Sequence, residues 1–297
     1  TADVPMVFSL YSPNFGALPG HSCTKNLGTA EEQVTLASFH PFDRIMVPSE
    51  NLRRTLVRLG INEDKIAHVP PSVDPAMFRP TKTQIEARRE LGLNEDSTIV
   101  VFVGNYSQWK GVDVLLHSLS RLRQEFPNLL LLAAWGEPYK WSGNQKERVL
   151  GMIAELQLEP IIRQTGIVND IHTVLTAADF LVAPFRCTCK VLDQPLSILE
   201  AMASGVPIIS TSVGGIPEML GENQRGLLVE PENADQLTDA IRILVLDRTT
   251  RERMASSGRE WVLKNAGPQH GDAVTGSIYD TLVGRATEHH VMKEPAR

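Results

Sequence analysis

The sequence predicts an α/β protein with a doubly wound, parallel, Rossmann-like sheet, beside a partial second α/β domain. Three observations carry that reading. From Ser97 onward, apolar runs at 99–104, 129–134, 161–166, 180–185 and 207–212 alternate with helical patterns such as 112–123 and 145–157. Most of the runs are continuously apolar rather than alternating, as in strands buried on both faces beneath covering helices. Next, the stretch 192–219, LDQPLSILEAMASGVPIISTSVGGIPEM, reads as a helix, a buried strand and a Gly214-Gly215 turn into a short second helix. Finally, 297 residues with 42% hydrophobic and 22% charged content suffice for one large core or two ordinary ones.

Taken in order, residues 5–10 (PMVFSL) form a strand, followed by a stretch at 11–25 rich in Gly, Pro, Asn and Ser. Such a loop after a strand's carboxyl end is where open α/β sheets bind ligands. A helix is expected over 29–38 and a short strand over 44–47. Ser49 can cap a helix over 50–59 that Gly60 stops. Arg53, Arg54 and Arg58 line that helix opposite Leu52, Leu56 and Leu59. The plain reading is a solvated face; the alternative is a cationic surface for anionic lipid or acceptor phosphate. A strand at 66–69 leads into VPPSVDPAMFRP (69–80), an extended, proline-stiffened connector. After the alternating region come a short strand at 226–229, helices over 234–246, 250–264 and 269–284, and a frayed tail from 286.

Bulk properties exclude several classes. A net charge of −6 argues against general nucleic-acid binding. No apolar run approaches the roughly 20 residues needed to span a bilayer, and no signal-peptide pattern is visible. The three cysteines, Cys23, Cys187 and Cys189, sit at no metal spacing and fit reduced thiols. A cytoplasmic protein is expected, with peripheral membrane attachment as the alternative. The P-loop lysine motif, HExxH and GxSxG are missing, and Gly214-Gly215 is not GxGxxG.

The chemistry concentrates at 192–219. Pro195 suits a first helical position, and Leu196, Leu199, Met202 and Ala203 fall on one face that packs on a sheet. The N–H groups of Leu196 and Ser197 point out of the helix start, where the dipole favours an anion such as phosphate. Glu200, about a turn further in, is near enough to hydrogen-bond sugar hydroxyls beside that phosphate. A nucleotide-type ligand follows.

LEAMASGVPII (199–209) and GGIPEML (214–220) resemble the donor-binding core of the retaining glycosyltransferases of family four, the group-one enzymes with the two-domain GT-B fold. The pattern there is Glu, seven residues, Glu; here Leu192 stands in the first place, with Asp193 beside it. VFVGNYSQWKG (101–111) resembles the family's glycine–arginine loop ending in lysine–glycine; Lys110 matches, and Asn105 replaces the arginine. The connector and the preceding FDRIMVPSENLRRTLVRLG resemble the interdomain segment and the end of the N-terminal domain. Together the likeness runs from near residue 5 to about Tyr279.

The resemblance implies Lys110 and Glu200 as the catalytic groups. Lys110 would neutralise the leaving diphosphate, and Glu200 would accept from ribose hydroxyls. It implies donor contacts from Gly104, Asn105, Gly166, Val168, Leu196 and Ser197, with Asp193 partly standing in for the lost glutamate. On the acceptor side, Tyr11 stands where many relatives carry a histidine, and His21 lies in the loop behind it. No metal and no cofactor are implied, since the sugar nucleotide is itself the substrate. The implied boundaries are 1–73 for a partial acceptor-side domain, 74–267 for the nucleotide-sugar domain, 268–285 for a helix crossing back, and 286–297 for a tail. The front of the N-terminal domain is not found in the sequence, which starts at Thr1. A fragment of a longer enzyme, or a second polypeptide completing that domain, is expected. Two other readings stay open: a glycosyltransferase-like binding or scaffold subunit, and a GT-B sugar-nucleotide epimerase.

Overall fold

The computed structural model describes residues 5–10, 39, 41–136, 144–188 and 191–292. Tyr11, His21, Cys23, Cys189 and the helix expected at 29–38 lie outside the described residues. For 285–292 only the backbone is described.

Two parallel sheets organise the chain. The smaller contains β1 (Val7–Ser9), β2 (Arg44–Val47) and β3 (Ile66–His68) in the order β1-β2-β3. Helix α1 (Glu50–Arg58) closes one face, burying Leu52 and Leu56 against Ile45 and Val47. Its cationic face is largely neutralised: Arg53 and Arg54 share Glu50 at 2.5 and 3.2 Å, and Arg53 also bonds Glu63.

The larger sheet has the order β6-β5-β4-β7-β8-β9, all parallel. Its strands are β4 (Thr98–Gly104), β5 (Leu129–Trp135), β6 (Ile162–Gln164), β7 (Phe180–Ala183), β8 (Ile208–Thr211) and β9 (Gly226–Val229). Burial on both faces follows from their sequences. Ile99 and Val101 of β4 enter the core on one side, and Val100 and Phe102 enter the core on the other. The chain winds outward from β4 through β5 to β6, then returns to β7 on β4's other side and winds away through β8 and β9. The neighbours β4 and β7 therefore flank a topological switch point, outside whose carboxyl ends a crevice forms.

Helices α2 (Gln84–Glu90), α3 (Val112–Leu122), α4 (Gln145–Glu155), α5 (Ile171–Ala177), α6 (Leu196–Ala203), α7 (Ile216–Leu220), α8 (Ala234–Leu246) and α9 (Arg248–Asn265) cover the faces. Two of these were not expected. α2 is specified by a capping box between Thr83 and Glu86, and α5 by Asp170, whose carboxylate accepts from the N–H groups of His172 and Thr173. Both have only seven residues, too few for a clear helical period. Helix α10 (Pro268–Met292) corrects the frayed tail expected from 286: no proline interrupts it before Pro295. Its start lies along the connector, where a Cβ on Gly271 would sit 3.8 Å from the Pro70 carbonyl. The connector also turns at Asp74–Met77 and donates from Val73 N–H to the Ala266 carbonyl at 2.9 Å.

Cys187 departs from the expected reduced thiols. It is buried and disulfide-bonded, and the other two cysteines lie outside the described residues. Spacing rules seek metal or redox pairs and cannot register a contact that the fold creates. No helix of the described residues is long and apolar enough to cross a membrane.

Candidate nucleotide-sugar site

Lys110 reaches the crevice because of an irregular step after β4. The strand ends at Gly104, Asn105 accepts from Ser107 N–H at 3.0 Å in an Asx turn, and a single 3-10 turn, Gln108–Lys110, leads to Gly111. Gly111 has φ +68°, and a Cβ there would stand 1.9 Å from the Pro184 carbonyl oxygen. Only glycine lets the Lys110 loop close on the loop leaving β7. The closure is secured by Arg186, whose backbone N–H donates to the Trp109 carbonyl at 3.0 Å. Its guanidinium donates to Gln108, Asp113 and Glu232.

The Lys110 ammonium stands 4.7 Å from the centre of the Phe185 ring. No described carboxylate forms an ion pair with it, and burial pulls its pKa from 10.5 down to about 8. A cation held half-buried over an aromatic face, without an acid, is poised for an anionic ligand. Asn105, in the place of the family's arginine, spends its side-chain oxygen on the turn.

On the β7 side, residues 184–195 lead into α6. Pro195 is the N-cap rather than the first helical residue, one position earlier than expected. The N–H groups of Ile198 and Leu199 donate to its carbonyl at 3.1 and 3.4 Å. No described group accepts from the N–H of Leu196 or Ser197, so both remain available at the positive end of the helix. Leu196 is exposed and Ser197 half-buried. Glu200 is half-buried with no described donor to its carboxylate. Burial raises its pKa, and the nearby His172 charge pulls the other way.

His172, close enough to act on Glu200, is a neighbour of the crevice that sequence reading missed. It opens α5 just after the 166–168 loop, packs its ring 4.7 Å from that of Phe78, and buries Nδ1 without a hydrogen-bond partner. A histidine two residues beyond an N-capping aspartate was the available signal. Gly166 turns with φ +68° after β6, whose strand ends at Gln164 rather than at 166 as expected. Val168 packs half-buried on the core.

Asp193 is placed differently from the donor role that the sequence suggested. It is fully buried, with Thr188 Oγ1 donating to Oδ1 at 2.7 Å and Ser49 Oγ donating to Oδ2. Both carboxylate oxygens are therefore taken up by protein groups, one from each lobe. A cavity of about 420 Å³ lies elsewhere, at the amino ends of β4 and β7. There Arg88 pairs with Asp179 at 2.6 Å and Arg248 with Glu252 at 2.7 Å. Balanced charges of this kind offer an anion little, whereas Lys110 at the crevice has no described acid beside it.

Residues 83–261, more than half of the chain, match the family described as glycosyl transferases group 1. The chain belongs to that family. Among its relatives, D-inositol 3-phosphate glycosyltransferase of Pseudarthrobacter chlorophenolicus is 31% identical over 241 residues, covering 80% of this chain and 55% of that protein. A second is the GDP-mannose-dependent alpha-(1-6)-phosphatidylinositol monomannoside mannosyltransferase of Mycobacterium tuberculosis. It is 31% identical over 204 residues, covering 66% of this chain and 51% of that protein. This group 1 chain thus spans about half the length of the relatives it matches.

Solved structures agree on the fold. Sucrose-phosphate synthase from Thermosynechococcus elongatus superposes with TM-score 0.81 at 24% identity, covering 94% of this chain and 68% of that one. Anabaena HepE in complex with UDP-glucose gives 0.78 at 17% identity, covering 93% and 72%. A C-terminal domain of a group 1 family protein from Francisella tularensis gives 0.57 at 22% identity, covering 66% of this chain and 99% of that one.

Proposed function

We propose that this chain is a retaining glycosyltransferase, or its donor-binding part, moving a sugar from a nucleoside-diphosphate sugar to an acceptor hydroxyl without a metal. One observation carries the reading. Lys110 and the free N–H groups of α6 lie on the two loops that flank the β4/β7 switch point. The bond between the sugar's anomeric carbon and a phosphate oxygen breaks, and the nucleoside diphosphate leaves with the electron pair. A bond to the acceptor oxygen forms on the face the diphosphate left. The enzyme's main task is to stabilise negative charge growing on the leaving group. Lys110 supplies a full charge and α6 the partial charge of its amides, so the donor phosphates need no divalent ion. Glu200 and the 166–168 loop are suited to hold ribose and base. The UDP-glucose in the HepE complex supports a sugar nucleotide here.

A second reading is favoured by Asp193. The family's first glutamate is Leu192 here, and the neighbouring acid is turned away into a buried contact. A chain that binds a nucleotide but transfers sugar poorly, as a binding or scaffold subunit, would look like this. Calorimetry and thermal unfolding with UDP, GDP and ADP sugars, in EDTA and then in magnesium, test both readings. At a hundredfold excess over its dissociation constant, a ligand should add about 2.7 kcal/mol of stability. Stabilisation that appears only with the metal would sink the metal-free site. No stabilisation by any of the three would sink the donor reading, and binding without turnover would favour the subunit.

A further inference from the structure

The loops that build the crevice also grip the small lobe, and two carboxylates make the contact. The first N–H groups of α1 need acceptors from outside the helix. Ser49 Oγ accepts from Leu52 N–H at 3.0 Å. The N–H groups of Glu50 and Asn51 donate across the lobes to Glu218, at 3.0 and 2.6 Å. Ser49 Oγ meanwhile donates to the buried Asp193. The positive end of α1 is thus held by Asp193 and Glu218, two acids of the larger lobe.

These acids are tied to each other and to the donor loop. Gly215 N–H donates to the Asp193 carbonyl at 3.1 Å, and the Gln194 amide donates to Glu218 at 3.3 Å. The approach is too close for side chains. A Cβ on Gly214 would lie 2.5 Å from Asp193 Oδ1, and one on Gly215 would lie 2.7 Å from Ser49 Cβ. Asp193 is two residues before Pro195, the N-cap of α6, so its carboxylate and the Leu196 and Ser197 N–H groups sit on one short segment.

We infer that Ser49, Asp193 and Glu218 form a latch coupling the docking of the small lobe to the shape of the donor loop. They are positioning residues and not donor ligands. Coupling of this kind is reciprocal: a nucleotide that orders 193–197 tightens the hold on α1, and loosening α1 weakens nucleotide binding by the same factor. The coupling half rests on the donor reading above, whereas the latch itself does not.

Hydrogen exchange on the full chain, with calorimetry alongside, tests both halves. Glu218→Ala should speed exchange at the Glu50 and Asn51 amides about tenfold, leaving β4 to β9 protected. In the wild type, UDP or GDP should slow exchange across 50–53. Ser49→Ala, the milder change, should weaken nucleotide binding roughly threefold to tenfold and abolish that slowing. Unchanged exchange at 50–53 in Glu218→Ala would overturn the latch. A nucleotide that binds by calorimetry yet leaves 50–53 unaffected, or binds Ser49→Ala as tightly as wild type, would overturn the coupling. If no nucleotide binds the wild type, the donor reading falls and the coupling with it, and the Glu218→Ala result still decides the latch.

Discussion

The two lobes are built from the same unit, a parallel strand followed by a helix, yet they differ in how far each can stand alone. The larger lobe buries apolar side chains on both faces of its four central strands, with Val101, Leu132, Leu181 and Ile208 on one side and Val100, Leu131, Phe180 and Ile209 on the other. The smaller has three strands of three or four residues, over a core of Leu10, Phe39, Ile45, Val47, Leu52 and Leu56 among the described residues. A two-faced core grows faster than the chain entropy opposing it, and a core as small as the one described for the smaller lobe does not. The difference assigns the roles. The larger lobe can supply a rigid, preorganised cradle, and the smaller takes its position from that cradle through Ser49 and α1.

Cutting the chain would break this comparison most directly. A segment of residues 74–267 should unfold cooperatively and retain nucleotide binding, whereas residues 1–73 should show no transition. The Francisella tularensis domain, matched over 99% of its length, is a solved instance of such a lobe by itself. Circular dichroism melts of the two segments decide the point, and a cooperative melt from 1–73 would show that the small core has been undervalued.

Two glycines sharpen the comparison at smaller scale. Gly111 and Gly60 both have positive φ, +68° and +91°. A Cβ at Gly60 meets nothing within 4 Å, whereas at Gly111 it strikes the Pro184 carbonyl. Gly60→Ala should therefore cost only the backbone term, about 1 kcal/mol. Gly111→Ala adds a clash between two rigid loops and should cost about 4 kcal/mol or more, with loss of the crevice. Urea unfolding measures both, and equal costs would mean that the loops yield easily.

How much of this was legible in the sequence follows the same division. The central strands of the larger lobe were readable because a short continuous apolar run between helices suits a strand buried on both faces, and helix 234–246 was recovered to the residue. α2 and α5 escaped because single caps specify them, not a period. At the proposed site, Lys110, Glu200 and the start of α6 were picked out through motif and helix chemistry, and their roles are proposals. Asp193 was visible as an acid, but its direction was not, because Ser49 lies 144 residues away in sequence. Glu218 sat in a motif with no stated task for the same reason: its partners are backbone N–H groups, which carry no residue-type signature. His172 and Phe185 depend on packing that no local pattern reports.

Lys110 is where the stability of the larger lobe and its proposed function pull apart. Its ammonium is desolvated without an acid, so at neutral pH it costs the apo protein stability. Lys110→Met keeps the length and removes the charge. It should raise the melting temperature, and it should weaken nucleotide binding about tenfold to a hundredfold, as expected for loss of a charged hydrogen bond of about 1.5–3 kcal/mol. A variant that melts lower while binding equally well would displace Lys110 from the site.

The same group gives a finer test in its pH dependence, and the sign differs between the free and bound protein. In the fold its pKa is down at about 8, against 10.5 for the ordinary amine. Between those values the unfolded chain holds a proton that the folded chain has released, so stability rises with pH across that window relative to Lys110→Met. A bound diphosphate restores the charge, and the folded protein must then take the proton back. Nucleotide affinity should accordingly fall about twentyfold between pH 7.5 and 9.5 in the wild type and stay nearly level in Lys110→Met. Calorimetry at pH 8 in buffers of different ionisation enthalpy should register uptake of about half a proton, missing from the variant. Parallel pH profiles for the two proteins would mean that Lys110 does not meet the phosphates, and that the cationic partner of the α6 amides lies on another loop.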